Sequence, residues 1–375
     1  MLMRGYNLRL LLALVLLLAG AARQLAKERR PSVLRPGARL YAYVGNTGDG
    51  TVTAVNLVTL RTVATIAVGP APSGLRAHPT RAEVWGVSTT GGYAWVIDTA
   101  KGELAARVPV GEGAFALDFS PDGRRAYVAA SASGNVVAID CATRQVAATA
   151  RPGRQPWIVR VAPDGRSLLV TLHGEHRVAQ LDATTLRELS SIVVASRPEQ
   201  IFIEGRGEKA FVSAAGSRQV SVVDLQQRAL VTNLPLNARA TDLIGAQDGK
   251  ILVPLPEANA LTILDSWRNE VEETRILGSA PTQGVATSDG ALVYVTDTTA
   301  NQVRPFYLPF RQARKPIAVG QRPVTARLTE DDALLLVVNE GSEDLAVIST
   351  RAQTPILLTL IALGRQPRDL AIKLF

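Results

Sequence analysis

Sulfur and imidazole ligands are scarce in this chain of 375 residues, which holds one cysteine, two methionines and three histidines. Cys141 has no intrachain partner for a disulfide. Met1 and Met3 lie in the first residues, so a chain cleaved beyond them keeps no methionine. There is no C-x-x-C-H haem-attachment sequence and no paired Cys/His spacing of a zinc site. Copper centres want Cys or Met beside several His, and this chain cannot build one internally. After residue 22 no stretch carries a long helical period of apolar residues. These gaps exclude thioether-linked haem, cysteine-based zinc sites, internal copper centres and a helical bundle.

What the sequence does contain is one phrase repeated. A large apolar residue recurs at Tyr43, Trp85, Tyr127, Leu169, Phe211, Leu252, Tyr294 and Leu336, spaced 42 apart with a single step of 41. The ends of the following strand keep the same count at Asn56, Asp98, Asp140, Asp182, Asp224 and Asp265, then at Tyr307 and Ser349, where the acid is lost. A period near 40 residues marks a propeller or a solenoid. Within each period, short runs rich in Val, Ile, Tyr and Ala are separated by Gly, Asp, Asn, Ser and Pro clusters, which reads as β throughout. In the third unit the spacing predicts strands over 126–130, 136–140, 146–150 and 157–162. Four strands in roughly 40 residues make one propeller blade. Pro121-Asp122-Gly123, Pro163-Asp164-Gly165, Gln247-Asp248-Gly249 and Ser288-Asp289-Gly290 put glycine where a tight hairpin needs positive φ, with Asp bonding local backbone before it. The strand-ending acids read as Asx-type turn starters rather than as a catalytic set.

The two ends of the chain decide how the repeat closes. The first unit opens at Tyr41 on the second strand of a blade, and Pro367 to Phe375 matches the innermost strand that every other unit supplies. A C-terminal strand that completes the N-terminal blade hides two sheet edges. A closed ring also covers both faces of every blade, which one blade cannot do alone. The expected fold is all-β: an eight-bladed β-propeller of four-stranded antiparallel blades over residues 41–375. "YVGN" at Tyr43 to Asn46, "YVTD" at Tyr294 to Asp297, "VVN" at Val337 to Asn339 and the Pro-Asp-Gly turns resemble the YVTN-type β-propeller repeat of surface-layer-like and periplasmic bacterial and archaeal proteins. The resemblance implies a non-enzymatic binder or scaffold, in a family that is commonly seven-bladed and includes a periplasmic relative that binds single-stranded DNA.

Residues 1–22 join basic Arg4 and Arg9 to an apolar core from Leu10 to Leu18 and then Ala19-Gly20-Ala21. That is the pattern of a secretory signal peptide, with a core short for a membrane span. Arg23, Lys27, Arg29, Arg30, Arg35 and Arg39 follow, and positive charge just past an apolar segment opposes export. On balance the chain reads as exported, whether periplasmic, held in the cell envelope or secreted, with the leader cleaved or kept as a short anchor. Residues 23–40 form a basic linker open to contact with anionic lipid or wall polymer. The formal net charge is +8, yet residues 1–40 hold eight basic side chains against one acid, and the remainder holds 33 against 32. A nearly neutral ring lacks the field of a dedicated nucleic-acid binder.

Strand directions put the Asp-Gly turns and the strand-ending acid turns on one face of the ring. The opposite face collects the loops between second and third strands and the approaches to the innermost strands. The first face repeats and the second varies, so the varied face is the candidate for binding. The approaches follow Gly-x-x-Pro, at Gly69 to Pro72, Gly153 to Pro156, Gly278 to Pro281, Gly320 to Pro323 and Gly364 to Pro367. Among the side chains expected just after them, around the channel mouth, Trp157, Glu199, Asp242, Arg368 and Asp369 form a set able to grip a small polar or aromatic ligand. In the competing reading the acids cap local backbone and Trp157 fills a gap between blades. "HGEHR" places His173, Glu175 and His176 in a loop on the same face, and His at i and i+3 without a helix to aim both rings is a weak metal signal. No metal and no cofactor is assigned.

Two classes of function follow. One is an exported, monomeric, non-enzymatic propeller that binds a protein, an envelope polymer, a small ligand or a short nucleic-acid strand through the varied face. The other is a cofactor-binding or hydrolytic propeller with its site at the channel mouth, related to haem-d1 domains or to lactonases. Haem-d1 proteins need an axial histidine, for which His173 and His176 lie on the right face. Lactonase-like calcium sites need clustered acids, and Glu199, Asp242 and Asp369 are spread around the ring.

Overall fold

The computed structural model describes residues 39–352 and 354–374. The expected leader over 1–22, and the linker as far as Pro36-Gly37-Ala38, lie outside the described residues. The strands form eight sheets. The spans expected from the third unit are found at Arg125–Ala130, Asn135–Asp140, Gln145–Ala150 and Pro156–Val161, the last opening the next blade. RAYVAA and NVVAID are apolar on both sides because each blade is covered by a neighbour on each face, whereas the outermost strand QVAATA borders solvent and is mostly exposed.

The ring closes as its ends predict. Pro367–Leu374 pairs antiparallel with Leu40–Asn46, from Leu40 opposite Leu374 to Asn46 opposite Pro367. Thr51–Asn56 and Arg61–Ala67 complete that sheet, which we number blade 1. Leu370 of the closing strand is buried with Leu40, Val44, Val338 and Leu345, so it ties blade 1 to blade 8. The eight recurring large residues all lie on second strands and are at most 2 % exposed. Tyr127 also bonds across blades, its hydroxyl donating to the Ala183 carbonyl of blade 4 at 2.7 Å.

The turn chemistry matches its expected causes. Asp140 Oδ1 accepts the Ala142 and Thr143 amides at 2.9 and 2.8 Å. Asn56, Asp98, Asp182, Asp224 and Asp265 repeat the pattern. Gly123 takes φ 68°, and its counterpart in blade 8 is Asp332 at φ 55°, a left-handed conformation that Asp tolerates better than most residues.

Two blades depart from the pattern, each for a local reason. Blade 6 follows the 41-residue step and has neither the glycine nor the proline of the approach, with Asn237 and Ala240 in their places, and its innermost strand shrinks to Ile244–Gly245. In blade 7 the outermost strand splits into Gln312–Ala313 and Ile317–Ala318. Pro309 precedes the first piece and Pro316 lies between the two, and neither has an N–H to offer a ladder.

Candidate binding site at the channel mouth

The approaches to the innermost strands of blades 3 and 4 deliver Phe115 and Trp157 to the mouth at the same register. Their rings stack with centroids 4.1 Å apart and planes 23° from parallel. His173, from the loop between second and third strands of blade 4, adds a third ring 5.5 Å from Trp157. Each of the three is half-buried. Phe115 and Trp157 pack on the core shared by blades 3, 4 and 5. Trp157 therefore fills the gap between blades and still presents an open face, and aromatic pairing of this kind adds about 0.5–1.5 kcal/mol beyond burial.

Arg197 of the next blade fixes the histidines. His173 Nε2 accepts from Arg197 Nε at 3.0 Å, and its Nδ1 lies 3.3 Å from the Pro198 carbonyl, which suits a neutral ring with its proton on Nδ1. The Arg197 amide donates to His176 Nδ1 at 3.0 Å. A metal ion between these histidines would meet a guanidinium, and Glu175 is turned away to the Arg154 amide at 2.8 Å. Among the described residues no group of three or more His, Cys, Asp or Glu is placed to hold a metal. Glu199 is half-buried and follows Pro198, whose carbonyl lies beside the His173 ring.

The remaining expected site residues are engaged within the ring. Asp369 accepts the Leu75 amide of blade 2 at 2.8 Å and the Leu370 amide at 2.8 Å. Asp242 accepts the Gly284 amide of blade 7 at 3.1 Å and the Leu243 amide at 2.9 Å, and burial raises its pKa above the usual carboxylate range. Both acids staple one innermost strand to the next. Arg368 donates to the buried Glu340 at 2.6 Å, and Arg322 reaches the same carboxylate at 3.2 Å.

Deeper in the channel lies a set that the mouth positions do not reveal. Arg76, Asp118, Arg160 and Arg327 occupy one register of the innermost strands, two residues past the Gly74, Ala116, Ile158 and Thr325 positions. Asp118 is a third staple, accepting the Val161 amide of blade 4 at 2.9 Å. Burial, and then the charge of Arg76, push the Arg160 guanidinium down to about 10. The signal was available in "GLRAH", "IVRVA" and "TARLT", where arginine recurs at one register of otherwise apolar strands.

No protein-family model matches the sequence, and no curated protein matches it, so the YVTN resemblance rests on its repeat and turn residues. Solved structures do share the fold. The chain is similar to hydrazine synthase of Kuenenia stuttgartiensis at 17% identity and a TM-score of 0.60, over 74% of this chain and 95% of that one. It is also similar to the dihydro-heme d1 dehydrogenase NirN, solved in complex with DHE, at 17% identity and a TM-score of 0.74, over 88% of this chain and 74% of that one. At such identity the likeness is one of fold: this chain is an eight-bladed β-propeller of four-stranded antiparallel blades.

Proposed function

We propose that this propeller is an exported, non-enzymatic binding module, a divergent relative of the YVTN repeat proteins, that takes a planar or aromatic group of its ligand or partner on the Phe115–Trp157–His173 ledge. The observation that carries the reading is the stack itself, half-buried at the channel mouth on the varied face. An apolar shelf bordered by a few polar groups, here Arg197 and Glu199, is the usual make-up of a small-ligand site. Asp242, Asp369 and Arg368 serve this reading as support, because their bonds hold the mouth open in one shape.

Tryptophan emission tests it. Trp85 and Trp95 are fully buried and Trp267 is 65 % exposed, so a ligand on the ledge quenches chiefly Trp157. In a panel of nucleosides, flavins and porphyrins, quenching by a true ligand disappears in Trp157→Ala and persists in Trp267→Ala. If every quench survives Trp157→Ala, the ledge is not the site.

The likeness to NirN favours a second reading, a cofactor propeller carrying a macrocycle at the same mouth. His173 could serve as an axial ligand only by releasing Arg197 from its Nε2. A Soret-region band in protein purified from its native host would support this reading, and a colourless product would reject it.

A further inference from the structure

The channel has a second end. Toward the repetitive face, between blades 8, 1 and 2, a cavity of about 240 Å³ is walled by Leu75, Leu370, Ile372 and Leu374, with Arg76 and Arg327 also in its lining. Each arginine gives one N–H to a neighbouring carbonyl, Arg76 to Leu75 at 3.3 Å and Arg327 to Ala326 at 3.0 Å. A guanidinium has further donors in a fixed fork, and among the described residues neither arginine forms an ion pair. Burial, and then the charge of Arg76, push the pKa of Arg327 down, against a smaller opposing pull from the charges of Asp369 and Asp242.

Two acids, Glu330 and Asp331, also line the cavity, and Asp369 is committed to the backbone amides of Leu75 and Leu370. Asp331, at the rim, accepts from the Thr329 hydroxyl, the Ala333 amide and Arg351. Glu330 is exposed at the edge, and Lys373 donates to the His78 carbonyl at 2.6 Å. Aliphatic walls with two guanidiniums that form no ion pair, the charges of Asp369 and Asp242 offsetting part of that of Arg327 from a distance, are the complement of an anionic head on an apolar body.

We propose that this cavity binds a small amphipathic monocarboxylate, its carboxylate forked between Arg76 and Arg327 and its apolar body against Leu75, Leu370, Ile372 and Leu374. A carboxylate matches the planar donor pairs of arginine bidentately. The volume equals about eight waters, which limits the body to roughly eight methylene-sized groups. The site lies at the other end of the channel from the aromatic ledge and does not depend on it.

Isothermal titration of the full chain tests the assignment, with octanoate as the probe, octan-1-ol as its uncharged match and octyl phosphate as a second anion. Octanoate should bind at one site, about tenfold or more tighter than octanol, since a hydrogen bond to a charged group is worth that much. Arg327→Gln should weaken octanoate by a similar factor, and Trp157→Ala should leave it unchanged. Equal affinity for octanoate and octanol, or no binding of either at millimolar concentration, overturns the site. Tighter binding of octyl phosphate than of octanoate overturns the choice of carboxylate, and loss of octanoate in Trp157→Ala moves the anion to the ledge and overturns the location. The wild-type comparison of head groups needs no variant, so a misfolded Arg327→Gln does not protect the proposal.

Discussion

Replacing Leu370 by alanine measures how much the closing strand contributes to the ring. Leu370 is 1 % exposed, sits opposite Val44 in the closing pair, and packs on residues of both blade 1 and blade 8. At such a site Leu→Ala removes the transfer energy of the lost methyl groups and leaves a cavity, which together cost about 2–5 kcal/mol. Leu358, on the outermost strand of blade 8, is the matched control at 47 % exposure. Its truncation should stay within about 0.5 kcal/mol. Urea unfolding followed by tryptophan emission suits the comparison, because Trp85 and Trp95 are buried in blade 2, next to the closing strand. The midpoint should fall clearly for Leu370→Ala and hardly at all for Leu358→Ala. Equal effects, or a larger one at Leu358, would refute a ring whose stability depends on Pro367–Leu374.

The turn acids and the thiol give further tests. Backbone amides, first those of Thr143 and Thr185, hold the carboxyls of Asp140 and Asp182 below the usual carboxylate range. Folded values below the unfolded one of about 3.9 mean that this stabilisation is complete above that pH and is lost as pH falls through the depressed values. Only Oδ1 of each accepts the two amides, so Asp140→Asn and Asp182→Asn keep both bonds without the charge. The pair should unfold near wild type at pH 7 and lose stability less steeply below about pH 4; an unchanged acid limb in circular dichroism would contradict this. Burial, followed by the charge of Glu83, pushes the Cys141 thiol up to about 12. A thiol reagent at pH 8 should therefore label it only after denaturation, and fast labelling of folded protein would show the blade to be open there.

The architecture is legible in the sequence because each blade carries its own copy of the evidence. Tyr43, Trp85, Tyr127 and their counterparts mark second strands, and the strand-ending acids mark turns whose amides they accept. Even the exception is written in the count, since the single step of 41 precedes the blade whose innermost strand is shortest. The site is less legible. Trp157 is at the mouth, but its partner Phe115 stands 42 residues earlier, at the same register of the adjacent blade, and only the curvature of the ring makes the two rings stack. For Asp242 and Asp369 a local pattern leaves both ligand contact and backbone capping open. The structure shows capping, each acid accepting the amide that follows it and one amide of the neighbouring blade.

Those staples also explain why the channel keeps free guanidiniums. An innermost strand has one edge with no partner strand, and its amides need acceptors. A carboxylate supplied by the previous blade is a strong acceptor and binds blade to blade at the same time, as Asp369 does for Leu75, Asp118 for Val161 and Asp242 for Gly284. Arginine cannot do this work, having donors only. The same division keeps acid and base apart: each aspartate is drawn to a strand edge, and Arg76, Arg160 and Arg327 each give one donor to a carbonyl beside them and form no ion pair among the described residues. A ring held by its acids in this way exposes its bases to whatever enters, so the charge count of the channel can balance while its unsatisfied hydrogen-bonding capacity remains that of a cation.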